Sequence, residues 1–229
     1  MDPFKKLFGV EKSSIKPLCI VSPLNEAALF SGLGLGARAH GDYFRVTDSK
    51  CATIIGTRYG LLAGDCVLSL ADTPCRDVYL FGCCGSIGEE VGARLLVKKA
   101  FNFESFSAML EGQDAPACYL PDAELAAAFS GNAALLEGTC ASVGSLALEE
   151  AYLPRFKALG VNCLDMECSA VYSAAKRSGK KALALFYASN RIPDKPWHEC
   201  LDKSDVARLG RARKDLAALL TDFLKRKGP

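Results

Sequence analysis

The sequence carries no strong charge of either sign. Its 28 Lys and Arg stand against 26 Asp and Glu, a net charge of +2, too little for a nucleic-acid binder working through a basic face. Histidine is scarce, with only His40 and His198, and no C-x-x-C pair occurs. That excludes a zinc site of Cys and His at familiar spacing, so no metal and no cofactor is expected. No apolar run reaches the roughly 18 residues that a membrane span needs, because Asp, Arg, Lys or Gly interrupts each one. Residues 1–16 are mixed in charge and lack the apolar stretch of a signal peptide. Linkers rich in Pro or Ser, low-complexity tracts and internal repeats are also missing. These absences predict a soluble cytoplasmic protein with one domain over 1–229, in which residues 1–16 form a peripheral extension.

Apolar residues and cysteine are plentiful. Half of the 229 residues are hydrophobic, enough to bury a full core and to exclude a disordered chain. The 11 cysteines are odd in number and spread along the chain, many in apolar contexts such as Leu18-Cys19-Ile20. They read as free thiols serving as small core residues in a reducing compartment. Short apolar runs predict buried strands at Leu18–Val21, Cys51–Ile55, Val78–Phe81, Arg94–Lys98 and Ala182–Ala188. Helical stretches lie between them at Asn25–Phe30, Gly60–Leu70, Ala123–Phe129 with Asp122 as N-cap, Met166–Arg177 and Ser204–Lys225. Near-continuous apolar strands alternating with helices predict an α/β fold, a three-layer α/β/α sandwich around a mixed, largely buried sheet. The basic residues of the terminal helix read as a solvated face.

Four motifs stand out, each with a simpler reading beside a functional one. Gly32-Leu33-Gly34-Leu35-Gly36 has the wrong spacing for a dinucleotide fingerprint and comes after a helical stretch, so a flexible loop is expected. Gly82-Cys83-Cys84-Gly85-Ser86 ends an apolar run. Either it is a tight turn with Gly at positive φ, or its small residues let backbone N–H groups approach an anion. No neighbouring Lys, Arg or His lowers the thiol pKa there, which makes a redox role minor. Asp165-Met166-Glu167-Cys168 opens a helix after an apolar run. Its acids fit a helix N-terminus alone, and alternatively Glu167 presents a carboxylate into a cleft. Ala188-Ser189-Asn190-Arg191 closes a strand where α/β proteins commonly place a site, and Pro193, Pro196 and Trp197 come next as a stiffened loop beside it.

In order, these motifs resemble the superfamily of nucleoside phosphorylases and nucleosidases. Val161 to Tyr172 is similar to its V-x-M-E-x-x-A-x-Y segment, and Leu185 to Asn190 stands where an S-D pair is usual. Val78–Ile87 resembles the strand ending in G-x-x-G, Val91–Val97 the strand after it, and Gly138–Ser142 the segment before the base-binding aromatic. The resemblance runs from about Leu18 onward. It implies cleavage of an N-glycosidic bond, through a ribosyl group that gains positive charge while phosphate or water attacks C1′ and a purine leaves. It further implies a small-molecule nucleoside as partner, with or without phosphate, and a homo-oligomer, a dimer or a trimer of dimers. Glu167 and Met166 match the ribose-binding pair. Leu146 replaces the base-stacking aromatic, and Ser142 and Asp165 fall in the base-binding segments.

The departures change the expected chemistry. Asn190 stands at the catalytic acid's position, and an amide holds hydrogen bonds but delivers no proton. Ala27 and Leu80 replace the phosphate-binding arginines, and Cys83 replaces a serine. Gly82, Cys83, Gly85 and Arg58 remain as candidate anion ligands. Hydrolytic members place a water-positioning glutamate after the first strand, close to Glu26. The resemblance therefore implies hydrolysis ahead of phosphorolysis, with Glu26 and Asn190 in catalytic roles. The alternative is a catalytically silent relative that binds a nucleoside or a purine base.

Overall fold

The computed structural model describes residues 2–24, 26–105 and 116–228. In chain order its elements are α1 (Pro3–Phe8), β1 (Leu18–Ser22), β2 (Leu35–His40), β3 (Arg45–Ser49), β4 (Thr53–Gly56) and α2 (Leu62–Ser69). Then come β5 (Asp77–Ser86), β6 (Arg94–Phe103), β7 (Cys118–Tyr119), α3 (Ala123–Phe129), β8 (Leu136–Val143) and α4 (Glu149–Ala158). The last are β9 (Cys163–Asp165), α5 (Cys168–Arg177), β10 (Lys181–Arg191) and α6 (Lys203–Lys227). Helix α3 and its Asp122 cap match expectation, Asp122 Oδ1 accepting from Leu125 N at 3.0 Å. Of the helix expected at Asn25–Phe30, Asn25 lies outside the described residues. In place of the rest stands a 3₁₀ turn, Ala27–Leu33, closed by Gly34 at φ +66°. The glycine-rich stretch expected as a flexible loop thus ends the turn and opens strand β2.

The sheet runs β10-β6-β8-β9-β5-β1-β4-β3-β2, and β10 also pairs with β5, so five strands close on themselves at one end. Parallel pairs (β1 with β4 and β5, β10 with β5) stand beside antiparallel ones (β2 with β3, β5 with β9). Period-two alternation sends side chains to two separate cores. Cys19 and Val21 of β1 with Val78 and Leu80 of β5 pack under α2 and α5. Leu18 and Ile20 with Tyr79 and Phe81 pack on the other face under α3 and α6. Strands buried on both faces read as unbroken apolar runs, the pattern seen in the sequence. The three-layer architecture with a mixed central sheet results from this division.

Within the segment expected at the periphery, Phe4, Phe8 and Ile15 are buried in the first core. Asp2 caps α1, and Phe4 and Phe8 are buried, Phe8 lying 4.5 Å between ring centroids from Phe44. Helix α6 is amphipathic as expected, with Leu216, Leu220 and Leu224 fully buried. No helix among the described residues is long and apolar enough to cross a membrane. All 11 cysteines are free thiols, and only Cys118 and Cys200 are exposed.

Candidate functional site

The sheet places its polar strand ends around Gly85. Gly85 pairs with Leu164 of β9 on one side and with Asn190 of β10 on the other. A register shift between Ala188 and Asn190 marks a bulge, a feature that re-aims side chains beside functional sites. A Cβ on Gly85 would meet Asn190 Nδ2 at 3.2 Å and Ile192 Cδ1 at 3.1 Å, so the missing side chain is what lets the amide lie there. Gly82 and Gly85 both sit inside extended β5, neither at positive φ. The tight turn expected at this motif is therefore absent, because the strand runs straight through it.

Above Gly85 lies a cavity of about 360 Å³, in the range that encloses a small ligand. Cys83, Cys84 and Gly85 form its floor, Leu164 to Glu167 and Ser189-Asn190 two of its walls. Pro23, Leu24 and Tyr59 close one end, and Leu146, Glu149 and Trp197 close the other. Tyr59 and Trp197 are more than half exposed, so each offers an open aromatic face. Seven expected residues thus meet in one cavity: Cys83, Gly85, Leu146, Asp165, Met166, Glu167 and Asn190. No basic side chain lines it among the described residues, whereas Glu149, Asp165 and Glu167 all do.

Glu167 is 5% exposed. Its Oε1 accepts from the backbone N–H of Gly60 at 2.5 Å, and Gly60 holds φ +80°, a conformation that favours glycine. The loop after β4 thereby orients the carboxylate. Burial, and then the nearby Asp165 charge, push the Glu167 carboxyl up to about 8, against the Gly60 hydrogen bond. Asn190 is 8% exposed, and its Oδ1 accepts from Ser189 Oγ at 3.0 Å. Burial pushes the Cys83 thiol up to about 11, which removes the thiolate a nucleophile needs.

Asp165 and Ser142 do different work from that expected. Asp165 Oδ1 accepts from Ser142 Oγ at 2.6 Å and Cys140 Sγ at 3.3 Å. Its Oδ2 accepts from the N–H groups of Glu167 at 3.0 Å and Cys168 at 2.6 Å. Both oxygens are occupied within the protein, and Ser142 is fully buried and off the cavity wall. The pair ties β8 to β9 and caps the start of α5, which sets the direction of Glu167. Asp165→Ala leaves a hydroxyl and two backbone donors unsatisfied in the core. It is expected to lower unfolding free energy by about 3 kcal/mol, read as an earlier urea midpoint, whereas Glu167→Ala should leave that midpoint unlowered.

Glu26 and Arg58 also stand elsewhere. Glu26 Oε1 accepts from Tyr187 Oη at 2.8 Å and pairs with Arg213 Nε of α6 at 2.6 Å. It is buried and not among the cavity's lining residues, because α6 anchors it toward the second core. Arg58 lines a neighbouring cavity of about 560 Å³ with Arg45 and His40, separated from the first by Pro23, Leu24 and Tyr59. Sequence reasoning missed Tyr59, Gly60 and Glu149. The positive φ of Gly60 and the placement of the other two leave no local signal in the chain.

Solved structures of known proteins share this fold. The chain resembles uridine phosphorylase from Vibrio fischeri ES114 complexed with 6-hydroxy-1-naphthoic acid, at 16% identity and a TM-score of 0.75, over 95% of this chain and 94% of that one. AMP nucleosidase from Bacteroides thetaiotaomicron aligns at 16% identity and a TM-score of 0.69, over 93% and 94%. The 5′-methylthioadenosine/S-adenosyl homocysteine nucleosidase of Campylobacter jejuni aligns at 15% and 0.70, over 93% and 99%. At such identities these likenesses speak for the fold. No curated protein matches the chain in sequence. The profile of the phosphorylase superfamily, however, matches residues 61–225, which span the cavity floor and both polar walls, and the chain belongs to that superfamily.

Proposed function

We propose that the chain cleaves the N-glycosidic bond of a purine ribonucleoside, with water as the attacking group. The observation that carries this reading is the buried Glu167 carboxylate, with Met166 beside it, in a cavity sized for a nucleoside. A carboxylate accepts hydrogen bonds from the 2′ and 3′ hydroxyls, and its charge favours the positive ribosyl group of the transition state. Trp197, with its exposed face at the Leu146 end, offers the stacking surface that Leu146 lacks. Asn190 contacts the base edge through its amide donor and acceptor.

The acidic lining supports hydrolysis over phosphorolysis. No described lining residue has a basic side chain to give a phosphate dianion the charged hydrogen bonds that hold it. The assay is base release from a panel of nucleosides with and without phosphate. Release is expected at equal rates in both buffers, with free ribose as the sugar product. Ribose 1-phosphate as product would contradict this and direct attention to Arg58 and Arg45 in the neighbouring cavity. The amide at position 190 favours one other reading, a silent relative that binds nucleosides, and binding by calorimetry without any base release would establish it.

A further inference from the structure

Glu149 opens α4 immediately after the turn Leu146–Leu148. It is 5% exposed and lines the cavity at the Leu146–Trp197 end, the end that takes the base in the proposed reading. Unlike Asp165 and Glu167, it has no hydrogen-bond or ion-pair partner among the described residues. Leu146, Glu149 and Trp197 also line a second, smaller cavity of about 320 Å³, which holds His198 and Pro196. Glu149 therefore stands between the nucleoside cavity and a second opening, reachable from both.

We infer that Glu149 is the proton donor to the departing base, filling the chemical role that Asn190 cannot fill. The inference rests on the glycosidic-cleavage reading. In the step, the C1′–N bond breaks and its electron pair moves onto the base. The Glu149 carboxyl transfers its proton to a ring nitrogen of that base as the charge develops. Water adds to C1′, and its surplus proton returns through solvent to the Glu149 carboxylate, so atoms and charge balance over one turnover.

The surroundings of Glu149 suit this work. Burial first, and then the adjacent Glu150 charge, push its carboxyl up to about 7, where a group both holds and yields a proton near neutrality. The ionisable groups lining the cavity with it are the Glu167 and Asp165 carboxyls, the Cys83 and Cys84 thiols and the Tyr59 hydroxyl, and on the outer side Glu150 and His198. Its position in the first turn of α4 favours the ionised form, which keeps the proton transferable. A carboxyl with no partner among the described residues can engage a ligand atom.

Guanosine and 7-methylguanosine separate proton donation from binding, because the methylated base is already cationic and leaves without a proton. For Glu149→Gln, about 10²-fold or greater loss of kcat is expected on guanosine, with 7-methylguanosine retained within a few-fold. Glu149→Asp should recover part of the guanosine rate, and thermal melts verify that both variants are folded. Equal losses on the two substrates, or no loss on either, overturn the role of Glu149. If the wild type releases neither base, the glycosidic-cleavage reading fails first and this inference with it.

Discussion

Glu167→Ala is expected to reduce ribonucleoside affinity by about 2–4 kcal/mol, the usual cost of losing charged hydrogen bonds, with base release falling below detection. Calorimetry with a ribonucleoside and its 2′,3′-dideoxy counterpart gives the sharper reading. The wild type should discriminate strongly between them, and the variant should not. Unchanged ribonucleoside affinity in the folded variant would sink the ribose assignment. The pH dependence comes from the same carboxyl, held at about 8 by burial and by Asp165. A sugar diol binds best to the ionised form, so wild-type affinity should rise as pH climbs through 8, and Glu167→Gln should lose that rise. Stability moves the other way. The unfolded chain releases this proton near the ordinary glutamate value while the folded one retains it to about 8, so folding stability falls as pH rises between them. Glu167→Gln should therefore melt a few degrees above wild type at pH 8, and the difference should vanish below the ordinary glutamate value.

Asn190→Asp has the second large expected effect, a gain. Aspartate is nearly isosteric with asparagine and puts a carboxyl where relatives in this superfamily were expected to carry their acid. The cavity already holds Glu149, Asp165 and Glu167 and no basic side chain among the described lining residues, so burial and like charge together raise a new carboxyl and keep it protonated near neutrality. Purine release from adenosine and guanosine should increase, most clearly in the Glu149→Gln background, where the added acid should restore about 10²-fold or more. Assays across pH 5 to 8 should show this activity declining at the alkaline end as the new group ionises. A wild type that cleaves adenosine rapidly, with no gain in either background, would show that position 190 limits nothing.

Much of the molecule was legible in its amino-acid order because the physics involved is local. Unbroken apolar runs such as Val78–Phe81 mark strands covered on both faces, and the alternation within them assigns Val78 and Tyr79 to opposite cores. Asp122 announces a helix start because a cap acts over three residues. Met166-Glu167 at a strand-to-helix junction carries its own geometric meaning. Strands β2 and β3 stayed hidden because β2 is a largely exposed edge with little apolar alternation. Helix α4 stayed hidden because Pro154 and its charged residues blur the helical period.

Tertiary structure alone decided which polar groups are spent and which are free. Asp165 and Glu167 are two residues apart and chemically alike. One has both oxygens filled by donors from β8 and the α5 start, and the other lies on the cavity wall and accepts from the N–H of Gly60. Glu26 is paired with Arg213 on α6, whereas the turn after β8 delivers Glu149 to the cavity. A carboxyl's function depends on its donors and its share of solvent. Those are set by chain segments distant in the sequence, as Gly60 is from Glu167 and Arg213 from Glu26, which no local pattern of residues encodes.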